Sequence, residues 1–392
     1  MVGAKVPATT PVTPALARGV SVSDIGLLPL IATLPFLYVP KVLEGDTQPW
    51  VLIGALMALF AYRPRRFFLT AAAPAVLLSA AALTMYALRA GFGPETIRAA
   101  YIFLTFSVLY VIVLRGGGNA FRNGVRLTLL IWFAVGAYQY IAILIGLPVE
   151  FVGRFVEGRG GVPSLAAEPS YFGSLAVLMA MYLLHDRQRG DDFFVAIAVM
   201  CVLMSGSLLA FLLLAFPFLY LRFDVKLIAG AAVAGLVLLD ASFNDAGFTA
   251  RLAGLKSIEQ GFASLLADPS LNLRFGHIQF VLWDNLIPQL FWRNPIDFQN
   301  QYNSFAASTG VLIPTGSNFI LPMAGELIYG GGLFGLGIVI LLVVAAWRGG
   351  ARFGEGLVRA SFVIACLLNP ISIANPFLVF YAFQERPCKP HS

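Results

Sequence analysis

"LIYGGGLFGLGIVILLVVAAW", residues 327–347, runs from Glu326 to Arg348 without a charge. The hydrocarbon core of a bilayer is about 30 Å thick, and a helix crosses it with about 20 apolar residues. This stretch has that length, and runs of the same kind recur along the chain. We place spans at 25–42, 48–62, 67–89, 97–114, 126–147, 169–184, 193–206, 207–221, 227–240, 318–347 and 356–383. The last is interrupted at Asn369-Pro370 and Asn375-Pro376, and reads as one kinked helix or two short ones. Hydrocarbon offers no water to peptide groups, so spans are helices or a closed barrel. The runs are continuous rather than alternating, which selects helices. The expected fold is all-α: a polytopic integral membrane protein with about 11–12 transmembrane helices. Composition agrees. Only 12% of the 392 residues are charged, and mean hydropathy is +0.82; a soluble domain carries roughly 25% charge.

The net charge of +6 invites a nucleic-acid reading, but its distribution argues against one. With the N-terminus inside, the inside segments hold Lys5, Arg18, Arg63, Arg65, Arg66, Arg115, Arg122, Arg126, Arg187, Arg189, Arg222, Lys226, Arg348, Arg352 and Arg359. That is more than half of the 26 basic residues. Lys and Arg in short cytoplasmic loops set orientation, so the basic excess reads mostly as a topology signal. Residues 1–24 read as a flexible cytoplasmic tail without a cleavable signal. A first bundle of about nine helices follows over 25–240. A large loop covers 241–317, further helices 318–383, and a tail 384–392. Cys201, Cys366 and Cys388 have neither disulfide-framework nor zinc spacing.

Two long segments face outside in this topology, 148–168 and 241–317. Binding and catalytic residues concentrate on such loops. Within the second, 271–292 reads as an amphipathic helix up to Pro288. Phe275, Ile278, Leu282 and Leu286 form its apolar stripe; Arg274, His277 and Asp284 form another. It suits the membrane surface or a cavity cover. "RNPIDFQNQYNSF" (293–305) mixes rings with amides. That mix fits either a sugar-binding surface or an ordinary loop anchored by a few aromatic residues.

The first loop ends in "GRGGVPSLAAEPSYFG" (158–173). Pro169 suits a first helical turn, which puts Glu168 at the N-cap, where orphan N–H groups and the helix dipole favour a carboxylate. The same field holds Glu168 ionised, as a general base requires. Tyr171 and Ser174 continue a polar stripe into the helix, a costly arrangement in a membrane. Arg154, Arg159, Arg251, Lys256, Arg274 and Arg293 lie outside, against the positive-inside trend. Their guanidiniums suit lipid phosphate or a pyrophosphate. Ser205 and Ser207, in "MSGSLLAF" (204–211), fall at a tight turn on the same side; small residues there also serve close packing. The glycines of 330–337 read as a helix-packing face. "RGGGNAFRNG" (115–124) lacks the spacing of a phosphate loop. The sequence has no GxSxG and no DxD-like carboxylate pair, and its histidines lack ligand spacing. No nucleotide, metal or other cofactor is implied.

Four stretches in order carry a resemblance. "PSLAAEPSYFG" (163–173) resembles the Glu-Pro-Ser-Tyr segment of Wzy-type polymerases, members of the bacterial O-antigen polymerase and ligase superfamily. "MSGSLLAF" resembles their Ser-x-Ser turn, with Leu208 where an arginine is usual. "DPSLNLRFGHIQF" (268–280) resembles the Asp-x-Ser…Arg segment of the large periplasmic loop. "SNFILPMAGELIYGGGLFGL" (317–336) resembles the closing motif of Asn, Glu and glycines. The usual arginine before the Glu-Pro stands nearer to it; Gly161 occupies that region here, leaving Arg159 as the candidate. Ser317 replaces the His that ligases carry before the Asn, which favours a polymerase. The resemblance implies a GT-C-like glycosyltransferase of the bacterial inner membrane, its site facing the periplasm. It would join undecaprenyl-diphosphate-linked oligosaccharide repeats, beside a chain-length regulator and flippase of the same pathway, with the bilayer as its other partner and no nucleic acid. Glu168, Arg274 and Arg159 would be catalytic. Tyr171, Ser205, Ser207, His277, Asn318, Arg154 and Arg251 would bind substrate. A ligase and a transporter or flippase of lipid-linked sugars remain the alternatives.

Overall fold

A computed structural model describes residues 50–61, 67–114, 118–147, 161–166, 168–185, 187–188, 190–220, 230, 269–284, 286–316 and 320–383. Among these residues there is helix, turn and loop but no strand. Four helices are long and apolar enough to cross a membrane, at Ala72–Ala90, Pro94–Leu114, Phe121–Leu144 and Met323–Arg348. The described residues are thus all-α, with helices fit to span a membrane. The expected span at 25–42, that at 227–240 apart from residue 230, the tails at 1–24 and 384–392, and all of 241–268 lie outside the described residues.

In chain order the helices are α1 (Trp50–Ala61), α2 (Phe67–Ala90), α3 (Pro94–Leu114), α4 (Gly118–Leu144), α5 (Pro169–His185), α6 (Asp191–Ser205), α7 (Leu208–Leu213) and α8 (Ala215–Tyr220). After them come α9 (Pro269–Gln279), a π turn at Phe280–Asp284, α10 (Leu286–Phe291), a 3₁₀ turn at Pro295–Asp297, and α11 (Phe298–Thr309). The last three are α12 (Met323–Arg348), α13 (Phe353–Leu367) and α14 (Pro376–Phe383). The expected span 207–221 is two short helices, because Pro217 lacks the N–H that would continue the ladder. The expected span 356–383 is likewise two, α13 and α14. Asn375 caps α14 by accepting from Phe377 N at 2.9 Å, so the Asn-Pro pair starts a helix rather than kinking one.

Burial sorts the helices into inner and outer. α5 is buried from Phe172 to His185, and α14 from Pro376 to Ala382. The helices around them show apolar side chains outward: Leu77, Leu104, Ile141 and Ile340 are all exposed. That is the arrangement hydrocarbon selects, since an outward Leu costs nothing in lipid. Helix association there relies on close packing of small residues. α2 turns Ala72, Ala75, Ser79 and Ala82 inward, and α12 answers with glycines. A Cβ on Gly331 would stand 3.2 Å from Ala82, and one on Gly337 3.1 Å from Leu78. The glycine-rich stretch is thus a packing face, as its composition indicates. It also contains a break: Gly332 has φ 59 and ψ −139, and a Cβ there would overlap the carbonyl of Leu290 on α10.

Of the arginines assigned to the inside, Arg122 and Arg359 are buried and Arg126 is partly buried, rather than loose in loops. α4 begins at Gly118, ahead of the expected 126, so Arg122 and Arg126 sit in its first turns. Asp191, fully buried at the start of α6, joins both: its Oδ2 accepts from Arg122 and from Gln188 N at 2.7 Å, and its Oδ1 accepts from Arg126 Nη2 at 2.7 Å and Nε at 3.0 Å. Beside them Phe121 stacks on Phe380 with centroids 3.8 Å apart. Arg359, also buried, bonds the His185 ring, the Gly349 carbonyl at 3.0 Å and the Tyr381 carbonyl at 2.6 Å. Such pairs offset the desolvation of charge only when complete, and removing one partner strands the other.

Asp191→Ala is therefore expected to cost about 3–5 kcal/mol, read as a lowered thermal transition of the purified protein. Asp192→Ala, which removes a partly exposed partner of Arg187, is expected to cost at most about 1 kcal/mol.

Candidate functional site

Glu168 stands where the sequence places it, immediately before α5. Its backbone carbonyl accepts from Tyr171 N at 3.1 Å and Phe172 N at 3.3 Å. Its carboxylate is half-buried and accepts from Ser170 Oγ at 3.3 Å. Tyr171 is half-buried and packs against the core of α5.

The segment before Glu168 is held on two sides. On one side, Gln139 of α4 grips Ser164 by both backbone groups: Ser164 N donates to Gln139 Oε1 at 2.8 Å, and Gln139 Nε2 donates to Ser164 O at 3.0 Å. Ser164 Oγ donates to Trp132 O at 2.7 Å. These bonds hold Ser164 at φ 53, the left-handed region that a side chain disfavours. On the other side, Val162 N donates to Met204 O at 2.9 Å. Gly161, at φ 109, lies so close to the Ser205 carbonyl that a Cβ would overlap it, and Gly173 lies equally close to Ser205 Oγ. The structure thus joins the mouth of α5 to the 204–207 turn.

The two serines of that turn spend their hydroxyls locally. Ser205 Oγ donates to Val202 O at 2.6 Å and accepts from Ser207 N at 3.2 Å; Ser207 Oγ accepts from Ala210 N at 3.3 Å as the cap of α7. Both are buried. Their geometry is that of a turn and a helix cap packed against Gly161 and Gly173.

Residues 269–316 form a second unit. His277 on α9 is fully buried, its ring edge-on to Phe298 (centroids 4.9 Å) and Tyr302 (4.5 Å). Leu321 N donates to His277 Nδ1 at 3.1 Å, which puts the proton of the neutral ring on Nε2. Burial pushes its pKa down to about 3. His277 therefore belongs to the core of this unit. Arg274, one turn earlier, is half-buried. The π turn shifts the helical phase after Gln279, so the expected stripe of Arg274, His277 and Asp284 does not run along one straight helix.

The stretch 293–305 is helical, and its rings face inward. Phe298 and Tyr302 pack with Phe280, Phe305 and Tyr329. Burial pushes the Tyr302 phenol up to about 12. Its amides are occupied too. Asn303 pairs with both backbone groups of Thr315 at 3.0 and 2.8 Å, as Asn272 does with Val311 O at 3.1 Å and Ile313 N at 2.9 Å. Hydrogen bonds from Gln301 and Asn300 lower the pKa of exposed Asp297. The stretch is a helix rather than an ordinary loop, and its rings are a core. Trp283 and Trp292 point outward instead, 84% and 73% exposed.

α12 connects the two units. Its Met323 and Leu327 join the core around α5, while Ile328 and Tyr329 join the aromatic cluster. Arg154, Arg159, Arg251 and Asn318 lie outside the described residues. Sequence reasoning missed Gln139 and Ser164; a buried glutamine within an apolar span is the signal that marks the first. A scan against protein-family models finds no match to this chain, and a search of curated proteins finds none either. The resemblance rests on the motifs themselves.

Overpacking the joint is expected to cost about 1–3 kcal/mol for Gly173→Ala, whereas Gly354→Ala, which meets open space, is expected to stay within about 0.5 kcal/mol; paired thermal denaturation measures both. His277 binds no proton when folded but binds one below about pH 6.5 when unfolded. Unfolded chains thus hold more protons at acid pH, and stability falls as pH drops from about 6.5 toward 3, by up to about 1.4 kcal/mol per unit. Denaturation against pH tests this, with His277→Gln expected to remove that acid limb.

Proposed function

We propose that this chain is a glycan polymerase of the bacterial inner membrane. It would have about 11–12 spans of GT-C-like architecture, an inside N-terminus and its site facing the periplasm. It joins oligosaccharide repeats carried on undecaprenyl diphosphate. The observation that carries the reading is the joint at the mouth of α5. Two of the four motif stretches, 163–173 and 204–211, meet there through Gly173, with Val162 and Gly161 just ahead of the first stretch also against the turn, and Glu168 stands at the start of α5 between them. Support also comes from α12, which links this joint to the stretches 268–280 and 317–336.

In this reading the acceptor hydroxyl gives its proton to the Glu168 carboxylate as its oxygen attacks the anomeric carbon of the donor. The bond from that carbon to the diphosphate oxygen breaks, and the electron pair leaves with the diphosphate. Arg274 and Arg159 face the charge that develops there, and preorganised charge of this kind is often the largest catalytic contribution. The donor brings its own leaving group, so neither a nucleotide nor a metal takes part. Tyr171 and the segment 317–320 with Asn318 border the acceptor. Ser205, Ser207 and His277 act by holding the turn and the aromatic core in place. Arg154 and Arg251 add positive charge on the loops.

The test is turnover by the purified protein in nanodiscs, given only undecaprenyl-diphosphate repeats, with products resolved on a gel. The expected result is a ladder of multiples, reduced about 10²–10⁴-fold in Glu168→Gln and strongly in Arg274→Ala. A full ladder from Glu168→Gln would sink the base assignment. Single transfer to a foreign acceptor without a ladder would make the chain a ligase. Movement of the lipid across the bilayer without any transfer would make it a flippase.

A further inference from the structure

Arg89 sits in the last turn of α2, against α12. Its Nη1 donates to the Gly330 carbonyl at 3.3 Å, two residues before the break at Gly332. Its Nε and Nη2 are enclosed without a hydrogen-bond acceptor among the described residues. The ionisable groups around it are two phenols, Tyr86 and Tyr329. Two carboxylates, Glu95 on α3 and Glu326 on α12, act on Tyr86, and Arg98 is the cation that acts on Glu326. Tyr86 stands among all four charged groups.

A guanidinium edge shut away from water without a counter-charge is costly, and a bound anion removes that cost. The planar fork of Arg fits two oxygens of a phosphate. The surroundings indicate where that phosphate comes from. Leu88, Phe92 and Ile97 project outward around the α2–α3 turn, at 80%, 96% and 74% exposure. They form an apolar skirt beside which the chains of a lipid lie. Arg89 occupies the end of a membrane-spanning helix, the depth of a lipid headgroup rather than of bulk solvent.

We propose that Arg89 is the seat of a phosphate group carried by a lipid. This is an anion site on the spanning helices, apart from Arg274 and Arg159 on the loops. It goes beyond the polymerase reading and needs no turnover: a ligase or a flippase with this cluster would bind the same headgroup.

The experiment uses the full chain in phosphatidylcholine nanodiscs supplemented with undecaprenyl phosphate. Native mass spectrometry counts the lipid retained after release. In parallel, calorimetry follows inorganic pyrophosphate added to the buffer. The informative variant is Arg89→Gln, which keeps an amide donor but carries no charge. Retention of the phosphate lipid by the wild type is expected, with a drop of about tenfold or more in Arg89→Gln. Arg89→Lys is expected to keep part of it, and Arg348→Gln, at the far end of α12, all of it. Thermal transitions of each variant establish that it is folded. Equal retention by wild type and Arg89→Gln would overturn the site and leave Arg89 as a cap on the α12 break. So would a wild type that retains neither lipid nor pyrophosphate. Pyrophosphate binding lost in Arg89→Gln, without lipid retention, would uphold the anion site and overturn its lipid source.

Discussion

A peptide group that leaves a helix inside a bilayer finds no water, so the protein itself has to supply its hydrogen bond. At three of the described places where the chain leaves helical geometry, a particular side chain steps in. Gln139 takes both backbone groups of Ser164. Arg89 takes the Gly330 carbonyl before the break in α12. Ser372 and Asn375 receive Ala374 N and Phe377 N between α13 and α14. These repairs fix where the loops sit. Through the loops they set the place of Glu168 and the aromatic unit.

The same constraint separates what the sequence tells from what it hides. Apolar length alone marks α2, α3 and α12, because hydrocarbon thickness sets one length for all of them. The start of α4 is hidden because Arg122 and Arg126 lower hydropathy where the helix has already begun; only Asp191, some 65 residues on, makes those charges tolerable. Such a pairing leaves no period to read. The aromatic unit of 293–305 is hidden for a related reason. Its amides and rings suit a wet surface equally well until Asn303 and Asn272 are seen tying down 311–315.

At the site, local chemistry was legible and its partners were not. Glu-Pro at a helix start and Ser-x-Ser at a turn are signals that act over three or four residues. The grip of Gln139 and the near-contact of Gly161 with Ser205 act across 25 and 44 residues. The position of Glu168 is thus a local property of α5, while its rigidity is a property of α4 and α6.

The two-point grip on Ser164 also acts as a boundary between tolerance and constraint along the chain. Downstream of it, every residue to Glu168 is counted, since one insertion would turn the carboxylate off the mouth of α5. Upstream, residues 148–160 join α4 to the grip, and lengthening such a connection costs only about 0.6 kcal/mol per doubling. The chain can therefore change the length of that stretch while Glu168 stays in register with α5.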